Sequence, residues 1–563
     1  MLDAERHTFC VRRLGYFANG SRMRQRTTSV KWIFLLFCGQ LIWMAAPAQA
    51  QDSAPPDAPP AARQGGRGGR GGGLTAEAIV KGAQHKPDIP AGPFEPTWES
   101  LKANWKTPEW FRDAKFGIFM HWGLYAVPAH GNEWYVSRMY NLPWQVQTYG
   151  PLSKFGYKDF IPMFTASKYN SDDWVELFKK AGAKYIMPTA EHHDGFALWD
   201  SALTKWDAKD MGPHRDLIGE MAIAARKAGL KFAVSNHRWE HYTFVNPGND
   251  QSADTYDPQY NDFYWTLNRN DPARAEEFVA DWIARQCELI DKYRVDLLYW
   301  DNGLNGRNAD PAKLKVAAYY YNRARQWGKE VGINTKQAAM LAGGIRDYER
   351  GRSPETREDP WQEDTAMGHN SWGYSEEPKL ILRNAGEMVR EMVDCVSKNG
   401  NYLLNISPRA DGTIPDDQQL KLLEIGEWLA QNGEAIYGTR PWGTTWGEGP
   451  TSQGNPSGER GIVDGMLKTY TAHDMRFTTN GDTLYAIVFA YPTATENNEI
   501  VITSLAKNKE IEGTVQKVTI LGPIQPGRGP NFTMQDDGLH IPMPTYKPND
   551  YVMVIKIEGL KLR

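Results

Sequence analysis

The stretch VDLLYWDNG, Val295–Gly303, sends an apolar run directly into a carboxylate and a turn. Val295, Leu297, Leu298, Tyr299 and Trp300 suit a strand packed inside a sheet, whereas Asp301 does not want an apolar core. Asn302-Gly303 is turn chemistry, so Asp301 stands at the tip of the run rather than within it. Other runs end the same way. KFGIFMHWG (115–123), KYIMPTAEHHDGF (184–196), KFAVSNHRWE (231–240), VGINTK (331–336) and NYLLNISP (401–408) are apolar stretches that finish on polar or ring residues.

Amphipathic stretches lie between them: SDDWVELFKKAG (171–182), DLIGEMAIAARKAG (216–229) and PARAEEFVADWIARQCELIDKY (272–293). Asp, Ser or Asn precedes or opens these stretches and Gly182 and Gly229 close two of them, as helix caps do. Near-continuous apolar strands alternating with helices predict a parallel sheet covered on its outer face. Over residues 91–440 this predicts an α/β fold of the (β/α)8-like, TIM-type barrel class. No G-x-G-x-x-G follows the first strand, which argues against a dinucleotide-binding open sheet. Barrels place their chemistry at the C-terminal ends of the strands, so His121, His192, His193, His237, Asp301 and Asn405 are candidates for one pocket.

The pattern changes after Tyr437-Gly438. TLYAIVFAYP (483–492), EIVITSLA (499–506), VQKVTILG (515–522) and YVMVIKIEG (551–559) are short strands separated by turn residues, which predicts a C-terminal β-sandwich over 441–563. No regular ring platform marks it as a glycan binder, so its expected role is to brace the barrel.

At 563 residues the chain is long enough for two folded units and a tail. A net charge of −4 with no basic stripe argues against a nucleic-acid partner. The 21 Trp and 26 Tyr fit either sugar recognition, where C–H faces stack on rings, or a large aromatic core. Residues 1–50 read as a secretory signal with an over-extended start. Met23 begins a basic segment, Trp32–Met44 is a short apolar run, and AAPAQA ends at Ala50. The run is too short to span a bilayer comfortably, so the expected location is periplasmic or extracellular, with no membrane span in the mature chain. Residues 51–90, Pro-rich and then Gly/Arg-rich, read as a flexible spacer. Only Cys287 and Cys395 remain beyond the signal, and both read as core thiols.

Asp301 at a strand tip among rings suits a nucleophile or general base. Glycosidic bond hydrolysis needs a second carboxyl group across the bond. The stretch GGIRDYERGR (343–352), expected as a loop, offers Asp347 and Glu349, and WQEDTAMGHNSWGY (361–374) offers Glu363 and Asp364. Each has a plainer reading: Asp301 as a turn former, and Glu349 as a surface ion pair between Arg346 and Arg350. The run His192-His193-Asp194 lacks the usual ligand spacings, and strand neighbours are expected to face opposite sides, so no metal and no cofactor is expected. The histidines suit sugar hydroxyls, since imidazole both donates and accepts.

WFRDAKFGIFMHWGLYAVPAHGNEWY (110–135), YIMPTAEHHDGFALWDS (185–201), DLLYWDNG (296–303), SWGY (371–374) and NGNYLLNISPRADGTIPD (399–416) resemble the α-L-fucosidases of glycoside hydrolase family 29. The resemblance runs from about Leu101 to the C-terminus. It implies a barrel followed by a β-sandwich, and a retaining exo-hydrolase acting on fucosylated oligosaccharides or glycoconjugates through a covalent fucosyl-enzyme. It implies Asp301 as nucleophile and Glu349 as acid/base, with Glu363 as the fallback. It also implies substrate contacts at His121, Glu133, Trp134, His192, His193, Asn236, His237 and Tyr299, and at Trp372 against the fucose C6 methyl. Two other outcomes stay open: a non-catalytic fucose-binding lectin on the same scaffold, and an α-L-galactosidase, whose sugar differs only at C6.

Overall fold

The computed structural model describes residues 73–336, 339–450, 469–494, 498–507, 509, 511–522, 530–543, 547–549 and 551–562. The signal segment and most of the spacer lie outside the described residues.

Eight parallel strands close into a barrel. They are β1 (Phe116–Met120), β2 (Tyr185–Glu191), β3 (Lys231–Asn236), β4 (Leu297–Trp300), β5 (Gly332–Thr335), β6 (Ile345–Glu349), β7 (Trp361–Ala366) and β8 (Gly400–Ile406). Pairing of β8 with β1, Leu403 opposite Gly117, completes the ring. Phe119, Tyr185, Met187, Ala233, Leu297, Tyr299, Ile345 and Leu403 meet in one buried cluster, drawn from six strands and lying beneath the strand tips. Helices cover the outside where they were expected. Asn170 Oδ1 caps Ser171–Lys180 by accepting from Asp172 N at 3.0 Å, and Asp216 caps Leu217–Lys227 by accepting from Gly219 N at 2.8 Å. Gly182 and Gly229 then take positive φ just past those helices, where a side chain would be strained.

Two strands depart from the sequence reading. Residues 343–352 were expected as a loop, yet Ile345–Glu349 is β6, and the WQED stretch opens β7. Both carry Arg, Asp, Glu or Gln at positions where the other strands carry Leu, Ile or Val, so the apolar signal is missing. The connections from Thr335 to Ile345 and from Glu349 to Trp361 also contain no α-helix among the described residues, which removes the β/α rhythm. The spacer is shorter than 51–90 suggests. Ala76–Gly82 is a helix capped by Thr75, with Ala78 and Ile79 buried, and Gly82 lies close against Val279 of the helix Pro272–Tyr293.

The C-terminal part is two antiparallel sheets. One includes Met475–Asn480, Thr483–Val488, Met553–Lys561 and Glu512–Ile520, and the other Glu499–Ile502, Leu539–Pro542 and Thr533–Met534. Met475, Phe477, Leu484 and Ile555 of the first share one apolar core with Ile500, Ile502 and Ile541 of the second, which makes a sandwich. It grips the barrel through polar contacts: Arg390 Nε donates to Phe489 O at 3.0 Å, and Trp428 Nε1 donates to Val552 O at 3.0 Å. Cys287 and Cys395 are buried free thiols. No helix among the described residues is long and apolar enough to cross a membrane.

Candidate active site

Asp301 follows β4 directly, and the buried strand presents its carboxylate at the barrel's C-terminal face. Three cations or donors converge on it: Lys336 Nζ lies 2.6 Å from Oδ1, while His193 Nε2 and His237 Nδ1 lie 3.1 and 3.2 Å from Oδ2. Burial by itself would push this carboxyl up. The Lys336 ammonium and the two imidazoles outweigh that and hold it well below the usual carboxylate range.

Glu349 ends β6 two strands away and turns inward, with Oε2 3.3 Å from Lys336 Nζ. Burial raises its carboxyl above the ordinary glutamate value; Lys336 opposes this, and the nearby Asp364 and Asp301 charges reinforce it. Its side chain nevertheless keeps 37% of its surface exposed. Facing inward to a buried ammonium, Glu349 is not the surface ion pair that Arg346 and Arg350 suggested. Asp364 lies 3.6 Å from the same ammonium and accepts from Tyr299 OH at 3.0 Å. Asp347, one turn of the pleat below Glu349, accepts from Gln362 Nε2 at 2.7 Å. Burial and the Asp364 charge push the Asp347 carboxyl well up within this acidic cluster.

The floor is built from histidines past β1, β2 and β3. His121, His192 and His237 are buried and their imidazoles held below the ordinary histidine value, chiefly by burial, so all three are neutral. His193 is shifted the other way, because the hydrogen bond to Asp301 and the charges of Glu240 and Asp301 outweigh its burial. His192 and His193 were expected to face opposite sides, yet their ring centres are 4.5 Å apart and both border the pocket. The strand ends at Glu191, so its alternation no longer applies. Asp194 does turn away, accepting from Tyr157 OH at 2.8 Å.

Trp372 forms a wall, with its ring centre 5.1 Å from His121 and 6.3 Å from Phe119. Glu133 fixes that wall: its Oε2 accepts from Ser371 Oγ, Trp372 N and Gly373 N at 3.2, 3.0 and 3.1 Å. Trp134 stands edge-on to His193 at 6.1 Å, and Tyr299 edge-on to Phe119 at 5.6 Å.

Two proposed site residues lie elsewhere. Glu363 neighbours Asp364, so the pleat sends it to the outer face of β7, where Cys395 Sγ donates to it at 2.7 Å and Arg352 lies 3.4 Å away. That removes it as an acid/base for this pocket. Asn236 likewise faces outward, donating to Glu191 at 3.3 Å inside a buried cluster with Arg238. Lys336 was missed. Its signal was available: a lone lysine ends the buried run VGINTK just as Asp301 ends its own.

Cleavage of a glycosidic bond calls for two carboxyl groups with opposed acidities, and this pocket holds one lowered carboxyl and one raised carboxyl around a single ammonium beside an aromatic wall. By class the protein is a glycoside hydrolase. A family model described as alpha-L-fucosidase matches residues 82–434. The tissue alpha-L-fucosidase of Homo sapiens is 31% identical over 507 residues, spanning 87% of this chain and 96% of that protein. The plasma alpha-L-fucosidase of Homo sapiens is 33% identical over 363 residues, 62% of this chain and 73% of that protein. The crystal structure of the Thermotoga maritima alpha-fucosidase in complex with fucose superposes with a TM-score of 0.63 at 29% identity, covering 82% of this chain and all of that one. The chain belongs to the α-L-fucosidase family.

Proposed function

We propose that this enzyme releases L-fucose from the non-reducing ends of fucosylated oligosaccharides or glycoconjugates by double displacement, with retention of configuration. An Asp301 oxygen attacks the anomeric carbon as the bond to the aglycone oxygen breaks, and Glu349 gives that oxygen its proton. Glu349, now ionised, takes a proton from water. The water oxygen bonds to the anomeric carbon, the Asp301 ester breaks, and two inversions restore the starting configuration. The opposed shifts of the two carboxyl groups suit these roles, one ionised and one protonated at the start.

The observation that carries this reading is the shared Lys336 ammonium. One ammonium reaches both carboxyl groups only if they are close, which suits the spacing of about 5–5.5 Å used by retaining enzymes rather than the gap of about 6.5–9.5 Å used by inverting ones. The neutral histidine floor would hold sugar hydroxyls, and Trp372 would cover the C6 methyl. Export to the periplasm or beyond is part of the proposal and rests on the sequence of residues 23–51.

The test is hydrolysis of 4-nitrophenyl α-L-fucoside by the wild type and Asp301→Gly. The variant should keep its fold by circular dichroism and lose on the order of 10³-fold or more in kcat. Near-native turnover in the variant defeats the assignment, and a wild type that binds L-fucose without hydrolysing the fucoside supports the lectin reading instead.

A further inference from the structure

Three of the floor histidines are arranged in a way that hydroxyl recognition does not by itself require. His121, His192 and His237 follow three consecutive strands, and one ring nitrogen from each lies within 4.8 Å of the others. Their ring centres are 5.5 Å (His121–His192), 5.4 Å (His121–His237) and 4.8 Å (His192–His237) apart. Three imidazoles on a tetrahedral ion, with metal–nitrogen bonds of about 2.0–2.1 Å, put their ring centres roughly 5 Å apart. The match is within small side-chain rotations.

The hydrogen-bond pattern leaves lone pairs where an ion would use them. His121 Nδ1 lies 2.8 Å from Asn405 Oδ1. That atom is the amide oxygen, because it also accepts from His121 N while Asn405 Nδ2 donates to Trp372 O at 2.8 Å. His121 therefore carries its proton on Nδ1 and a lone pair on Nε2. His237 Nε2 lies 2.7 Å from Ser235 Oγ and its Nδ1 lies 3.2 Å from Asp301 Oδ2, so this ring offers an ion a nitrogen by exchanging one of those two contacts for the metal. His192 Nδ1 is buried with no hydrogen-bond partner at all. Outer partners that hold one ring nitrogen and free the other are the usual second layer of a histidine metal site. Asp301 adds a negative charge at the edge, forming with His193 and His237 a second cluster whose ligand atoms also lie within 4.8 Å of one another. Lys336, 2.6 Å from the other Asp301 oxygen, opposes a cation and caps the affinity.

We propose that His121, His192 and His237 form a binding site for a borderline divalent transition metal such as Zn²⁺ or Cu²⁺, and that the bound ion excludes the sugar from the pocket. Neutral imidazole selects Zn²⁺, Cu²⁺, Ni²⁺ and Co²⁺ over Mg²⁺ and Ca²⁺, which want oxygen ligands. The same nitrogens cannot hold an ion and sugar hydroxyls together, so the metal acts as a reversible competitive inhibitor. Only this competition rests on the proposed function; the binding itself does not.

The experiment uses the full chain, stripped with a chelator and titrated with CoCl₂. Visible d–d bands of histidine-bound Co²⁺ should appear, Zn²⁺ should displace them, and L-fucose should bleach them. His192→Phe and, separately, His121→Gln should weaken the Co²⁺ signal tenfold or more, whereas His214→Gln, an exposed histidine elsewhere, should not. In the fucoside assay Zn²⁺ should raise the apparent KM and leave kcat unchanged, with full recovery on adding EDTA. Bands unaffected by both pocket substitutions overturn the site, and bands insensitive to L-fucose overturn the competition. A Zn²⁺ effect on kcat alone overturns the competition. Should the wild type hydrolyse no fucoside, loss of the Co²⁺ bands in His192→Phe would still establish the metal site, so the two readings fail separately.

Discussion

Lys336 Nζ stands 2.6 Å from Asp301 Oδ1, a buried ion pair at the tips of two adjacent strands. The ammonium faces three carboxylates in all, which raises its own pKa well above the ordinary lysine value despite burial, so it stays charged across the working pH range. It lowers the carboxyls of both Asp301 and Glu349. Replacing it with methionine should therefore shift both limbs of the kcat/KM–pH profile toward alkaline pH. The change also leaves buried carboxylates without their cation and should cost about 3–5 kcal/mol of stability. A profile that only drops in height, with both limbs in place, would show that Lys336 does not set these ionisations.

In the proposed mechanism the alkaline limb belongs to Glu349. Its folded carboxyl is raised, and activity needs it protonated, so kcat/KM falls as pH climbs through that raised value. The acid limb of the same mechanism belongs to Asp301, which acts ionised and whose lowered carboxyl delays the fall until the solution is more acidic than an ordinary aspartate would allow. Glu349→Gln should remove the alkaline limb and reduce turnover of natural glycans by on the order of 10²- to 10⁴-fold. With an activated aryl fucoside, Glu349→Ala should recover turnover on adding azide. An unchanged alkaline limb in Glu349→Gln would assign it to another group.

How far these roles could be read from the chain depends on how each residue advertises itself. Asp301 and His121 end apolar runs, so the contrast between buried strand and polar tip exposes them. Ile345–Glu349 and Trp361–Ala366 hide because charged residues interrupt their apolar pattern. Those charges exist because the barrel interior there is an acidic cluster balanced by Lys336. Function has overwritten the strand signal. Glu363 and Asn236 misled for a different reason: each is polar, adjacent to a pocket residue and on the wrong face of the pleat. One residue of register decides between the pocket and the helices behind it.

In the proposed binding mode Trp372 separates a C6 methyl from a C6 hydroxymethyl group. Its ring is wedged between His121, Phe119 and Arg350, whose guanidinium lies 4.9 Å from the ring centre. Against such a wall an added hydroxyl loses water without a partner, and discrimination of about 1–3 kcal/mol follows. Trp372→Ala should lower the preference for the aryl α-L-fucoside over the matching α-L-galactoside by roughly tenfold or more, mostly through KM on the fucoside. Equal losses on both sugars would mean that the ring shapes the pocket without reading C6.

The C-terminal sandwich reaches the barrel through Arg476, at the end of the helix that leads into β8. Its Nε lies 2.5 Å from Asp394 Oδ1, and Asp394 also takes Lys398 at 2.8 Å and Arg352 Nε at 3.6 Å. Burial would raise the Asp394 carboxyl, but the three cations hold it well below the usual range. A carboxyl lowered by folding adds stability above its unfolded value, near pH 3.9, and loses it as pH falls toward the folded value. Arg352 stands three residues after Glu349, so the same cluster anchors the chain that carries the proposed acid. Arg476→Met should destabilise by about 3 kcal/mol, near the lower end for a broken buried pair because Lys398 and Arg352 remain. Its thermal unfolding should differ most from wild type at neutral pH and converge with it in acid. In the folded variant the alkaline limb of the fucoside profile should also shift, because Glu349 loses a fixed position relative to Lys336. A stability loss with an unmoved limb would confine the sandwich to bracing and leave the acid independent of it.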